Sequence, residues 1–140
     1  MKKILILCTG NSCRSQMVEV CLKSILGTNF FEIYSAGLEA HGINPYMKRA
    51  MENVGYSLQG HTSNTMDEYK DIHFHYVLTV CNHANDTCPY FKNANQRIHH
   101  SFDDPADAIG TDAEKMVVYE RVRDEIIEYC QGLALTLSYN

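Results

Sequence analysis

The stretch Ile4-Leu5-Ile6-Leu7-Cys8-Thr9-Gly10-Asn11-Ser12-Cys13-Arg14-Ser15 constrains this chain more than any other. Four consecutive apolar residues predict a short buried strand. The polar, glycine-containing segment after them predicts a loop, and Ser15 opens a helix-compatible run. A loop joining a strand to a helix start aims backbone N–H groups at one spot, and the positive end of the helix dipole adds to them. Such a place can hold a tetrahedral oxyanion. Cys8 stands where the strand ends, and Arg14 follows with five residues between them. Amides and a guanidinium favour the thiolate and lower a thiol pKa from about 8.5. Arg14 offers a planar fork for two oxygens of the anion, and Ser15 can donate a hydrogen bond to the sulfur. Thr9, Gly10, Asn11, Ser12, Cys13 and Arg14 are the expected substrate-binding loop. A lone Cys and Arg would read as a buried strand-end thiol beside a surface arginine. The make-up of the intervening loop favours a nucleophile beneath an oxyanion cradle.

With 140 residues, 45% hydrophobic and 21% charged, the chain has the size and composition of a single soluble domain spanning 1–140. Its formal net charge of -5 argues against nucleic acid and anionic membrane as partners. An anionic substrate remains compatible with it if the positive field is local to the loop. Only four apolar residues separate Met1-Lys2-Lys3 from Cys8, too few for a signal-peptide core, and no segment reaches membrane-span length. A cytoplasmic location is therefore expected. There the six cysteines rest reduced, and a disulfide would be transient and catalytic. Cys21 and Cys130 fall in apolar series of helical spacing and read as core.

Further along, a helix is predicted from Ser15 to about Leu26, stopped by Gly27, and a second strand over Phe31–Ala36, closed by Gly37. Asn44-Pro45 reads as N-cap and first helical residue of a helix to about Val54. Asn64 or Thr65 caps a short helix through Tyr69. Tyr76–Val80 is the third predicted strand, Asn82 to Lys92 a loop, and Arg97–His100 a short fourth strand. Thr111 or Asp112 caps a long helix to about Leu135. Strands alternating with helices predict an α/β fold, an open parallel four-stranded sheet with helices on both faces. In such sheets ligands bind beyond the carboxyl ends of the strands, where Cys8 and Cys81 both emerge.

Cys81 and Cys88 are separated by six residues. In one regular strand their sulfurs could not meet. In a loop, or a helical stretch that unwinds, a thiolate at Cys88 could attack a mixed disulfide at Cys81. Two inert loop cysteines are the equal alternative. Zinc is disfavoured, because the spacing is not that of structural sites and no second cysteine pair completes a set beside His83, His99 and His100. His73 and His75, on a possible edge segment, read as solvated. Asp103-Asp104-Pro105 reads as a turn that could also supply a general acid, and position alone does not choose between the two aspartates.

Cys8-Thr9-Gly10-Asn11-Ser12-Cys13-Arg14-Ser15-Gln16-Met17 resembles the C-x₅-R-S loop of low-molecular-weight protein tyrosine phosphatases. It resembles more closely the thioredoxin-coupled arsenate reductases built on that fold. The similarity continues through Tyr34–Gly37, His41–Pro45, His61–Ser63, Thr79–Cys81 with Cys88-Pro89, Phe102–Pro105 and Arg121–Ile126. The resemblance implies that Cys8 attacks arsenate held by Arg14 and the loop amides, with Ser15 assisting the thiolate and Asp104 protonating the departing oxygen. It implies that Cys81 then attacks the adduct, and that Cys88 takes over the disulfide for thioredoxin to reduce. Cys13 matches a position outside this relay. No tightly bound cofactor is implied, although some relatives hold a potassium ion at the equivalents of Asn11, Glu19, Ser35 and an aspartate. Asn64 stands in that last place here, with one charge fewer. Tyrosine phosphatases of the family commonly carry aromatics after Asp-Pro, where this chain has Ala106. A phosphatase working through a phosphocysteine at Cys8 and a non-enzymatic redox or oxyanion sensor are the alternative readings.

Overall fold

The computed structural model describes residues 1–82 and 89–139. Four strands, β1 (Lys2–Cys8), β2 (Phe31–Gly37), β3 (Phe74–Thr79) and β4 (Ala94–His99), form one all-parallel sheet in the order β2-β1-β3-β4. Three α-helices, α1 (Arg14–Leu26), α2 (Pro45–Glu52) and α3 (Asp112–Ser138), complete it, with 3₁₀ helices at Met66–Tyr69 and Pro105–Asp107. The predicted α/β class and four-stranded parallel sheet are both present.

Alternation along β1 explains the layering. Ile4, Ile6 and Cys8 face a large core shared with Met17, Cys21 and Leu22 of α1, Met47 and Met51 of α2, and Ile126 and Cys130 of α3. Leu5 and Leu7 face a smaller core with Ala36, Phe74, Val77 and Phe91. A strand buried on both sides reads as an unbroken apolar run, as this one does. Both faces are covered as expected, but all three α-helices share the larger core. The Met66–Tyr69 helix contributes Met66 and Tyr69 to the other face. Among the described residues no helix is long and apolar enough to cross a membrane.

Several boundaries differ from expectation. β3 begins at Phe74, two residues early, and ends at Thr79. It is an interior strand, so His75 is not a solvated edge residue: it is half-buried and its Nδ1 accepts the Lys3 backbone N–H at 2.9 Å. His73 is exposed, as expected. β4 starts at Ala94 rather than Arg97 and ends at His99; its polar residues suit an edge strand that is largely exposed. α1 begins at Arg14. α2 stops at Glu52, before Val54, where Val54 and Gly55 N–H groups turn back to Met51 and Glu52 carbonyls. Thr65, not Asn64, caps the first 3₁₀ helix, Thr111 caps α3, and α3 runs on to Ser138. The predicted Asn82–Lys92 loop falls in part on residues 83–88, outside the described residues.

Candidate active site

β1 lies between β2 and β3, so the chain leaves the sheet in opposite directions on either side of the gap between β1 and β3. Such a switch point opens a crevice at the carboxyl ends of the strands. Cys8 is the last residue of β1, and Cys81 follows the end of β3 by two residues. The Val80 N–H bonds the Leu7 carbonyl at 3.0 Å, which carries the pairing to the edge of the crevice.

The loop after Cys8 is held from outside by its carbonyls. Thr9 O accepts the Glu39 N–H (3.2 Å), Gly10 O the His41 N–H (2.9 Å) and Ser12 O the Asn44 N–H (3.0 Å). Asn11 O accepts from Gln16 Nε2 (3.1 Å) and Ser63 Oγ (2.8 Å). In a trans peptide the N–H points opposite to the C=O, so carbonyls drawn outward turn the following N–H groups inward. A cavity of about 180 Å³ lies there, lined by Cys8, Thr9, Gly10, Ser12, Cys13, Arg14, His41, Asn44, Asp104 and Ala106. The start of α1 adds to it. Side chains of Asn44 and Thr111 cap α2 and α3, whereas Cys13 makes no side-chain cap to α1. The start of α1, without a side-chain cap, borders the cavity.

Gly37 lets this loop sit close to β2, since a Cβ there would lie 2.6 Å from Thr9 O. Asn11 bends the loop, with a left-handed φ of 45°. Its side chain does not line the cavity; it braces the site from behind. Nδ2 donates to Ser15 Oγ and Ser35 Oγ, both at 2.9 Å, and Oδ1 accepts the Asn64 N–H at 2.7 Å. With Asn11 donating to Ser15, the Ser15 hydroxyl proton is left for another acceptor.

Arg14 is buried, and burial of a guanidinium demands partners. Nη1 donates to the Phe102 carbonyl at 3.1 Å, and Nη2 lies 3.4 Å from Asp104 Oδ2. Phe102 is positioned by its own N–H on the Val80 carbonyl, so the segment after β4 brings Asp104 to the crevice. The two aspartates thereby separate: Asp104 lines the cavity, while Asp103 pairs with Arg121 on the surface. Burial, then the charges of Asp104 and Cys8, push the Cys13 thiol well up, with Arg14 opposing. Cys13 thus lines the cavity as a neutral thiol. Cys8, Cys13, Cys21 and Cys130 are in no disulfide, whereas Cys81 is disulfide-bonded and not, as expected, reduced; Cys88 lies outside the described residues.

Glu19 of α1 sits behind the loop. Ser35 Oγ donates to its Oε1 at 2.5 Å, Lys23 Nζ lies 2.5 Å from its Oε2, and His61 Nδ1 lies 3.6 Å from Oε1. The Asn64 side chain turns to Thr62, and Asn11 Oδ1 already has its donor. Asn11, Ser35 and Glu19 are thus linked through the Ser35 hydroxyl, Asn64 joins them through its backbone N–H, and Lys23 pairs with Glu19. Burial lowers the His61 pKa against the opposing pull of Glu19, with Lys23 reinforcing the decrease. Among the described residues no cluster of three or more His, Cys, Asp or Glu could hold a metal ion.

Residues 3–140 match the low molecular weight phosphotyrosine protein phosphatase family. The chain belongs to that family. Within it, the chain is 50% identical to an arsenate reductase of Halalkalibacterium halodurans over 125 residues, 89% of each chain. It is 47% identical to an arsenate reductase of Bacillus subtilis over the same shares. Among solved structures, an arsenate reductase in the phosphate binding state superposes with a TM-score of 0.78 at 28% identity, covering 97% of this chain and 98% of that one. An arginine phosphatase from Geobacillus stearothermophilus shares the fold, with a TM-score of 0.74 at 22% identity, over 99% and 94%.

Of the residues expected at one site, Cys8, Thr9, Gly10, Ser12, Cys13, Arg14 and Asp104 line the cavity; Asn11, Ser15 and Cys81 do not, and Cys88 lies outside the described residues. Sequence reasoning assigned no site role to His41, Asn44, Gln16, His61 or Ser63. Their signal was present, because Gln16, His41–Pro45 and His61–Ser63 all fall in segments of family resemblance.

Proposed function

We propose that this chain reduces arsenate to arsenite through Cys8, Cys81 and Cys88, with a dithiol protein such as thioredoxin reducing the final disulfide. The observation that carries the reading is Cys81, two residues past the end of the strand that pairs with the nucleophile's strand, in a chain whose phosphatase chemistry would need only Cys8, Arg14 and an acid. The names of the curated relatives and the phosphate-bound state of one structural relative support it.

In the first step the Cys8 thiolate attacks arsenic while Arg14 and the inward amides hold the remaining oxygens. Asp104 protonates the oxygen that leaves as water, giving a Cys8–S–As(V) adduct. Ser15 Oγ–H supports the thiolate. Once the external dithiol has reduced the disulfide at Cys81, the Cys81 thiolate attacks the Cys8 sulfur. The sulfur–arsenic bond breaks, its electron pair stays on arsenic, and As(V) becomes As(III), released as arsenite. Cys88 thiolate attacks the Cys81 sulfur and frees the Cys8 thiolate, leaving a Cys81–Cys88 disulfide. The external dithiol supplies the two electrons that close the cycle.

The test follows NADPH oxidation with arsenate, thioredoxin and thioredoxin reductase, comparing the unmodified protein with Cys88→Ser. Continuous turnover that falls to about one event per molecule in the variant is the expected result. No arsenate-dependent turnover in the unmodified protein, with brisk aryl phosphate hydrolysis, overturns the reading in favour of a phosphatase.

A further inference from the structure

His41 has no part in the relay, yet its side chain lines the cavity. Its imidazole rests on Gly10: a Cβ on that glycine would meet His41 Nδ1 at 2.4 Å and Cγ at 3.0 Å. The His41 backbone and its exposed ring each make one contact there. The His41 N–H is bound to Gly10 O at 2.9 Å, and Nε2 lies 2.5 Å from Glu39 Oε2. Glu39 is itself anchored, through its N–H on Thr9 O. The imidazole thus hangs from the same strap that turns the loop carbonyls outward. Asp104 and Ala106 contribute the cavity's other lining from the segment after β4.

The space left is small. At about 180 Å³ the cavity falls below the ~300–1,000 Å³ typical of sites for drug-sized ligands. A free tetrahedral oxyanion needs only the loop. An ester needs, in addition, a path outward for the group on its bridging oxygen.

We propose that His41 is a specificity-determining residue: its imidazole, laid across Gly10 and tied to Glu39, admits a free oxyanion and obstructs the organic group of a phosphate ester. This deepens the oxyanion reading of the cavity and is independent of whether arsenate is turned over. Selectivity here comes from excluding the wrong ligand, since free phosphate and a phosphate ester present nearly the same charged end to the loop. Glu39 is a positioning residue in this scheme, because it acts through the ring it holds.

The experiment measures the affinities of inorganic phosphate and phenyl phosphate for the fully reduced protein by calorimetry, for the unmodified chain, His41→Ala and Glu39→Ala. The expected result is a shift of about tenfold in the affinity ratio toward phenyl phosphate for His41→Ala, and a smaller shift in the same direction for Glu39→Ala. A ratio that does not move in His41→Ala, including a proportional weakening of both ligands, overturns the proposal. Should the unmodified protein bind neither anion, the oxyanion reading itself fails, a result distinct from an unmoved ratio.

Discussion

Asn11→Ala tests the brace behind the loop directly. The side chain makes three hydrogen bonds, donating to Ser15 and Ser35 and accepting from the Asn64 N–H. Each lost bond of this kind costs about 1 kcal/mol net, and more where a buried partner is left unsatisfied. Alanine must also adopt the left-handed φ of 45° that asparagine tolerates, at about 1 kcal/mol. The expected loss is about 4 kcal/mol, which for a chain of 140 residues lowers Tm by roughly 10–15 °C. Urea unfolding of the reduced protein, with circular dichroism melts alongside, measures it. Asn11→Gly separates the two causes, since it removes the same bonds but accepts the backbone angle. It should be about 0.5–1 kcal/mol more stable than the alanine variant. A loss under about 1.5 kcal/mol for alanine would refute the brace. A glycine variant no more stable than alanine would refute the backbone argument.

Arg14→Lys keeps the charge and loses the planar fork, so phosphate should bind at least tenfold more weakly, as read by calorimetry on the reduced protein. Burial favours neutral His61, so below about pH 6.5 the unfolded chain gains that proton more readily than the folded one. Stability contributed by the neutral imidazole is complete above the unfolded pKa and declines as pH falls toward the lowered folded value. Urea midpoints at pH 7.5 and 5.5 should therefore converge in His61→Gln relative to the unmodified protein, and an unchanged difference would contradict this.

The loop after Cys8 was legible because its two ends obey opposite rules. An unbroken apolar run announces a strand buried on both faces, and a glycine-containing polar segment announces that the run has ended. The beginnings of β3 and β4 were not legible. His75 looks like a surface residue until the Lys3 N–H is placed against its ring. Ala94-Asn95-Gln96 carries no apolar alternation because this edge strand is largely exposed. The choice between Asp103 and Asp104 was likewise closed to the sequence until Arg14 and Arg121 each claimed one of them. Gln16, Ser63 and His61 were missed for a related reason. Their bonds to the loop span 5, 52 and, through Gln16, 45 residues of chain, and no local pattern records such distances.

Those same distances decide when the site comes into being. Once β1 and α1 have left the ribosome, the chain already carries Cys8 and Arg14. The segments that draw the loop's carbonyls outward, 39–44 and 61–63, are made later. Phe102 and Asp104, which hold the guanidinium, come later still. Anion affinity is thus acquired in late synthesis, and a nascent chain carries Cys8 for most of translation without the groups that surround it in the finished cavity.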